Sequence, residues 1–264
     1  MLRRLLRFAA AAVAAMLWTS VPQQARADLK EILNACVVRI GVPIDVPPFG
    51  FVDEQQQPAG LDIELAKLVA RELGVKLEMQ QITGANRIPY LMTNKVDLVI
   101  SALGATPERA RLISFSSPYA ALSIGVFGPA HAKVASAGEI GSLKVSVARG
   151  TTQDIELTGL APQATLLRFD DDATAAAAYL AGQADLLATA NAVAQALRKR
   201  DPGRALEPKF LIRFSPCHIG LRQDNPNLLR WLDTFVFYER INGTLDRLSQ
   251  RWLDAPLPAN FPSM

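Results

Sequence analysis

Two arginines and a threonine pair are the residues whose types and spacing point most clearly to chemistry. Arg109 ends the stretch Ser101-Ala102-Leu103-Gly104-Ala105-Thr106-Pro107-Glu108-Arg109, which follows an apolar run, Val96 to Ile100, read as a buried strand. Thr106-Pro107 predicts a helix start, because threonine accepts from the free N–H groups of the first turn and proline suits the first helical position. A guanidinium in that turn gains nothing from the positive end of the helix dipole, so Arg109 does not serve its own helix. Its planar fork matches a carboxylate. Taken alone, the position also fits a surface arginine paired with Glu108 or Asp97. Arg87, in Asn86-Arg87-Ile88-Pro89, faces the same choice between an anion site and a pair with Asp97 or Glu78. Arg149-Gly150-Thr151-Thr152-Gln153 sets a glycine and two hydroxyls at a predicted helix start. That is a ready anion nest, although many helices begin this way.

Other chemistries lack residues. Two cysteines (Cys36, Cys217) and two histidines (His131, His218) are scattered without metal-ligand spacing, and no cofactor is expected. Each cysteine precedes a strand-like run, which leaves a disulfide and two free thiols equally open. Arg3, Arg4 and Arg7, the apolar run Phe8–Trp18 and Ala25-Arg26-Ala27 read as a signal peptide ending at Ala27. Removing its four arginines from the 28 basic residues leaves 24 against 25 acidic ones. A net charge of −1 removes the main support for a nucleic-acid partner. No later segment is long and apolar enough to span a membrane.

The elements that must position these residues read as α/β. Val37–Pro43 is a strand, Leu61–Leu73 an amphipathic helix stopped by Gly74, and Val75–Gln80 a second strand. This βαβ order implies a parallel sheet. Asp53–Gly60 reads as a hairpin loop. Ser123–Phe127, Leu143–Ala148 and Asp185–Ala188 are further strands, and Pro129–Gly138 a linker. Asp170-Asp171-Asp172 precedes an Ala-rich helix, where acids suit the dipole and are read as structural. Helices are expected over Ala192–Lys199 and Asn225–Tyr238, and a last one starts at Thr244.

The run DLVISALGATPERARLISFSSPY (97–119) resembles the signature of extracytoplasmic solute-binding proteins of the polar amino acid ABC transporter family (family 3). The likeness covers nearly all of the chain after the leader, and Asn86-Arg87-Ile88-Pro89 is similar to the glutamate/aspartate-binding branch. It implies an α/β, two-lobed periplasmic-binding-protein-like fold (type II), with mixed sheets flanked by helices and lobes joined by two crossover strands. One lobe would comprise 28–127 plus 217–264 and the other 128–216. It further implies that Arg109 holds a ligand carboxylate and that Arg87 adds a second positive group. The Ala102 and Gly104 backbone would supply further polar groups, and Thr151 and Thr152 would close over the carboxylate from the second lobe. The expected partners are a small carboxylate or amino acid and an inner-membrane ABC permease, with the protein a periplasmic monomer rather than an enzyme.

The chain departs from that pattern. Val46 stands where an aromatic often stacks on the ligand, and a further arginine of the glutamate/aspartate branch would fall near Pro43 and is missing. Gly104 replaces a hydroxyl. Ala190 replaces the carboxylate that pairs with a ligand ammonium, and Asn191 beside it offers only a neutral amide. Either the ligand lacks an ammonium, or Asp45 or an acid of the Asp170–Asp172 run reaches in. The alternative function is a dehydratase-like enzyme on the same fold, for which neither histidine falls in a cleft motif. The chain ends soon after its last core helix, so a fused sensing or membrane segment is not expected.

Overall fold

The computed structural model describes residues 28–258 except 202, 204 and 205, so the leader reading, residues 1–27, lies outside the described residues. After a first helix α1 (Leu29–Ala35), capped by Asp28 accepting from the Glu31 N–H, the chain enters β1 (Val37–Val42). A small three-stranded sheet follows: β2 (Asp45–Val46), β3 (Gly50–Val52) and β4 (Pro58–Ala59). Then come α2 (Leu61–Leu73) and β5 (Lys76–Gln81). β5 pairs with β1 in parallel, which is the expected βαβ unit. α2 ends where Gly74 takes φ +68°, a conformation a glycine adopts without steric cost, and its N–H bonds back to the last turn.

The first sheet is completed by β6 (Leu98–Val99), β7 (Ile113–Phe115) and β13 (Gly220–Arg222), in the order β5-β1-β6-β13-β7. α3 (Arg87–Met92) and the short α4 (Pro107–Ala110) sit on its connections. β6 runs parallel to β1, whereas β13 is antiparallel to both β6 and β7, so the sheet is mixed. One face packs Ile63, Leu65, Val69, Leu228 and Leu232 against it. The other buries Ile82, Leu91, Val99 and Leu103. Each fully buried side chain of this size contributes about 1.5–3 kcal/mol.

The second sheet has the order β10-β9-β11-β8-β12, built from β8 (Ala120–Gly128), β9 (Lys144–Ala148), β10 (Thr165–Phe169), β11 (Leu186–Ala190) and β12 (Glu207–Cys217). Helices α5 (Thr152–Leu160), α6 (Asp172–Leu180) and α7 (Asn191–Arg200) cover it. α8 (Pro226–Ile241) and α9 (Thr244–Leu253) close the chain. The Ser123–Phe127 run is the centre of a longer strand, because β8 pairs with β12 from Ala120↔Cys217 to Gly128↔Glu207. The chain passes between the two sheets at 116–119 and again at 218–219. These passages are tied side by side: the Ser116 N–H donates to Ile219 O and the Tyr119 N–H to Cys217 O. Cys36 is exposed at the end of α1, Cys217 is buried at the end of β12, and both are free thiols. No helix among the described residues is long and apolar enough to cross a membrane.

Candidate functional site

The site forms where the carboxyl ends of strands in both sheets face each other. β6 leads into Ser101–Ala102, and β9 leads into Gly150–Thr151–Thr152. As Thr106-Pro107 predicts, Thr106 caps α4 by accepting from the Arg109 N–H, with proline in the first turn. Arg109 is thereby aimed back over Gly104 toward the second sheet. Its Nη1 donates to Gly104 O at 2.6 Å and to Thr152 Oγ1 at 3.0 Å, and its Nη2 donates to Gly150 O at 2.9 Å. One guanidinium therefore bridges the two sheets.

Arg87, the first residue of α3, is 6% exposed. Its Nη1 donates to Ser101 O at 3.0 Å, and its buried Nε has no partner. The bland pairings are not made. Asp97 is taken by Arg39, and among the described residues no carboxylate lies within ion-pair distance of Arg87 or Arg109. Burial pushes both guanidiniums below the ordinary arginine range, Arg109 to about 9, and Arg87 adds repulsion on Arg109. Two buried cations without an acid partner make a place that an anion stabilises.

A cavity of about 40 Å³ lies between the sheets, walled by Val46, Arg87, Ala102, Thr152, Asp172 and Ala190 among others. That is a few times the space one water needs, and the Arg109 bonds to Thr152 and Gly150 draw the two sheets together beside it. Thr151 also lines it, but its hydroxyl donates to Ala148 O and accepts from the Asp154 N–H, so it holds the start of α5. Arg109 and Gly104 stand behind Thr152 and do not line the cavity themselves. A Cβ on Gly104 would come within 2.4 Å of Ser215 Oγ and 2.9 Å of Thr152 Oγ1, which explains the glycine: Ser215, on β12, fills the space a side chain would need.

Three expectations are corrected. The Ala102 N–H is not offered to the cavity, because it donates to Asp62 Oδ2 at 2.7 Å, and Gly104 O accepts from Arg109. Asn191 does not reach the site. β11 ends at Ala190, which faces the cavity, and the next residue opens α7 exposed to solvent. The three acids at the start of α6 do not share one role. Asp171 caps the helix by accepting from the Thr174 N–H, and the exposed Asp170 lies 3.9 Å from Arg149, whereas Asp172 is buried on the cavity wall.

The sequence reading missed the burial of Asp62 and Asp172. Asp62 Oδ1 accepts from the Tyr119 hydroxyl at 2.7 Å, and with the Ala102 bond this clamps Ala102 at φ +43°. A signal was present: Asp62 shares a helix face with Leu65, Ala66 and Val69, all apolar. His218 is used structurally, its Nδ1 bonding Ser116 O, and burial lowers its pKa.

Burial raises Asp62 and Asp172 from an ordinary value of 3.8 to about 7 each, with Asp45 adding to the shift of Asp172. Both are raised above the unfolded value. Their contribution to stability is therefore full below about pH 4 and is lost as pH rises through about 7. Asp172→Asn removes one of these losses. We expect variant and wild type to melt together near pH 4, and the variant to be more stable by roughly 2–4 kcal/mol above pH 7. Urea titrations of the ligand-free protein at several pH values check this, and a difference that does not grow with pH contradicts it.

Comparison with known proteins agrees with this geometry. The model of bacterial extracellular solute-binding proteins, family 3, matches residues 38–255. The chain is 30% identical over 210 residues to the glutamine-binding protein of Geobacillus stearothermophilus, covering 77% of this chain and 79% of that one. Among solved structures, the solute receptor for L-cysteine of Neisseria gonorrhoeae is 31% identical with a TM-score of 0.81, covering 86% of this chain and 94% of that one. An ancestral amino acid-binding protein, described as a precursor of cyclohexadienyl dehydratase, is 32% identical with a TM-score of 0.76, covering 85% and 98%. The type II two-lobed fold expected from sequence is the one these neighbours share, and the reading of a binding protein rather than an enzyme stands with them. They do not single out the glutamate/aspartate branch. The chain belongs to the bacterial extracellular solute-binding proteins of family 3.

Proposed function

We propose that the protein is the periplasmic substrate-binding component of an ABC importer, capturing an amino acid or closely related carboxylate between two lobes that close on a hinge. The observation that carries the ligand class is the pair of buried guanidiniums, Arg87 and Arg109, with no acid partner among the described residues. Arg87 meets the carboxylate directly. Arg109 ties Thr152 and Gly150 of one lobe to Gly104 of the other and lends its charge to the same place. The hinge is the paired passage at 116–119 and 218–219, which supports a discontinuous first lobe and a continuous second one but moves their boundary from 127/128 to the passage itself, because all of β8 and β12 pair within the second sheet. Relatives named as ABC transporter glutamine- and arginine-binding proteins support the partner, an inner-membrane permease. Export through the leader 1–27 and action as a monomer complete the reading. Three or four charge-assisted hydrogen bonds, at roughly 1.5–3 kcal/mol each, support micromolar capture, about −8 kcal/mol, after the ordering costs.

Ligand-induced thermal stabilisation tests this. The protein is stripped of ligand by unfolding and refolding, then screened with glutamine, arginine, cysteine and other amino acids, each beside the same acid lacking its amino group. One or a few of these raise the melting temperature of the wild type, and Arg109→Ala loses the shift. No shift with any compound, or a shift that Arg109→Ala leaves intact, would sink the assignment.

A further inference from the structure

We infer that Asp172, with Asp45 facing it across the cleft, is the subsite that takes the ammonium group of the ligand. This rests on the cleft capturing a carboxylate, as proposed above, and assigns the other end of the molecule it captures.

Asp172 is not needed to cap its own helix. It is the first residue of α6, but capping falls to its neighbour Asp171, whose Oδ1 accepts from the Thr174 N–H. The side chain of Asp172 is engaged in no hydrogen bond or ion pair among the described residues, yet the residue is only 9% exposed and lines the cavity. A buried carboxylate without hydrogen bonds is costly and is kept where something else meets it. Asp45 comes from β2 on the other side of the cleft. Its Oδ2 accepts the Asp172 N–H at 3.0 Å, while its Oδ1 is buried without a partner. Closing the lobes thus brings two carboxylates together; burial raises the pKa of each, with repulsion from Asp45 adding to the rise in Asp172 and repulsion from Asp171 to that in Asp45, whose bond from the Asp172 N–H works the other way.

The opposite wall shows the mirror image. The Nε of Arg87 is buried and partnerless, and Arg87 repels Arg109. Arg87 and Asp172 line one cavity without pairing with each other. A ligand with a carboxylate at one end and an ammonium beside it answers both walls at once: it offsets the repulsion of Arg87 on Arg109 within the first lobe and the repulsion of Asp45 on Asp172 that opposes closure. The rest of the wall is apolar (Leu122, Ile124, Ala190 and Val193 among others) or carries neutral hydroxyls and one amide, so Asp172 is the one carboxylate among the residues that line it. A divalent metal fits less well. It demands six or more oxygen ligands, and no group of three His, Cys, Asp or Glu side chains among the described residues is placed to hold one.

Calorimetric binding of the refolded protein decides the matter. Wild type and Asp172→Asn are titrated with each amino acid that stabilises the wild type and with the same acid lacking its amino group. We expect Asp172→Asn to weaken the amino acid by roughly tenfold to a hundredfold, the effect of one charge-assisted hydrogen bond, and to leave the amine-free acid nearly unchanged. Equal losses for both compounds, or no loss, overturn the ammonium subsite and leave the capture reading standing. Binding of amine-free acids alone by the wild type overturns the subsite in the same way. No binding of either kind to the wild type overturns both readings. If Asp172→Asn fails to fold, Asp45→Asn, which keeps a side-chain oxygen for the Asp172 N–H, answers through the same comparison.

Discussion

Gly84→Val yields a protein that folds and stays open, and that binds its ligand about tenfold to a hundredfold more weakly than wild type. Gly84 lies in the turn between β5 and α3, on the first-sheet side. A Cβ there would come within 2.6 Å of Arg149 O and 2.9 Å of Thr151 Cγ2, both beyond the end of β9 on the second-sheet side. The carbonyl is backbone and cannot turn away, so the clash is relieved only by moving the lobes apart. Facing it, a Cβ on Gly150 would meet Gly84 O at 2.9 Å and the Ala85 Cα at 3.1 Å. Gly84 is the cleaner probe of the two. Gly150 takes φ +71°, so any side chain there strains the backbone whether the lobes are open or shut, whereas Gly84 has no such φ. The valine variant therefore keeps wild-type stability without ligand and loses the closed state. Small-angle scattering with and without saturating ligand reads the compaction, and calorimetry reads the affinity. Wild-type compaction together with wild-type affinity would show that this glycine contact has no part in closure.

What was legible in the sequence follows from how local each cause is. The limits of α2, the turn at Gly74, the Thr106 cap and the parallel pairing of β1 with β5 are set within a few residues or by one crossover, and the residues announce them. The convergence of Arg87, Arg109 and Thr152 was anticipated through family likeness, since nothing local in three distant segments brings them together. The burial of Asp62 and Asp172 is a tertiary fact. An acid in a first helical turn has the same local justification whether it faces water or a cleft. Only the apolar positions three and four residues beyond Asp62 distinguish it, and the Ala-rich α6 gives Asp172 no such contrast. The reading of Asn191 failed for a related reason. A strand alternates its faces, but at Ala190 the alternation gives way to a helix, and the next side chain turns to solvent.

Arg87→Met should move stability and affinity in opposite directions. In the ligand-free protein the guanidinium is held at 6% exposure with one acceptor, Ser101 O, one buried nitrogen without a partner and no carboxylate at ion-pair distance among the described residues. Burial is the largest influence on its pKa and pushes it down, while Asp172, Asp45 and Asp62 pull the other way from a distance. A charge kept under these conditions costs several kcal/mol that no protein contact fully offsets. Methionine retains much of the side-chain volume and removes the charge, leaving the loss of the bond to Ser101 O, about 1–3 kcal/mol, as the opposing effect. The urea midpoint without ligand should therefore rise, and affinity for any carboxylate should fall by roughly a hundredfold or more. An arginine placed for structure predicts the reverse, a lowered midpoint with binding retained. A cation that destabilises the empty protein and is stabilised by its ligand is one kept for binding. A permanent counter-ion for Arg87 would compete with the carboxylate the site is built to admit.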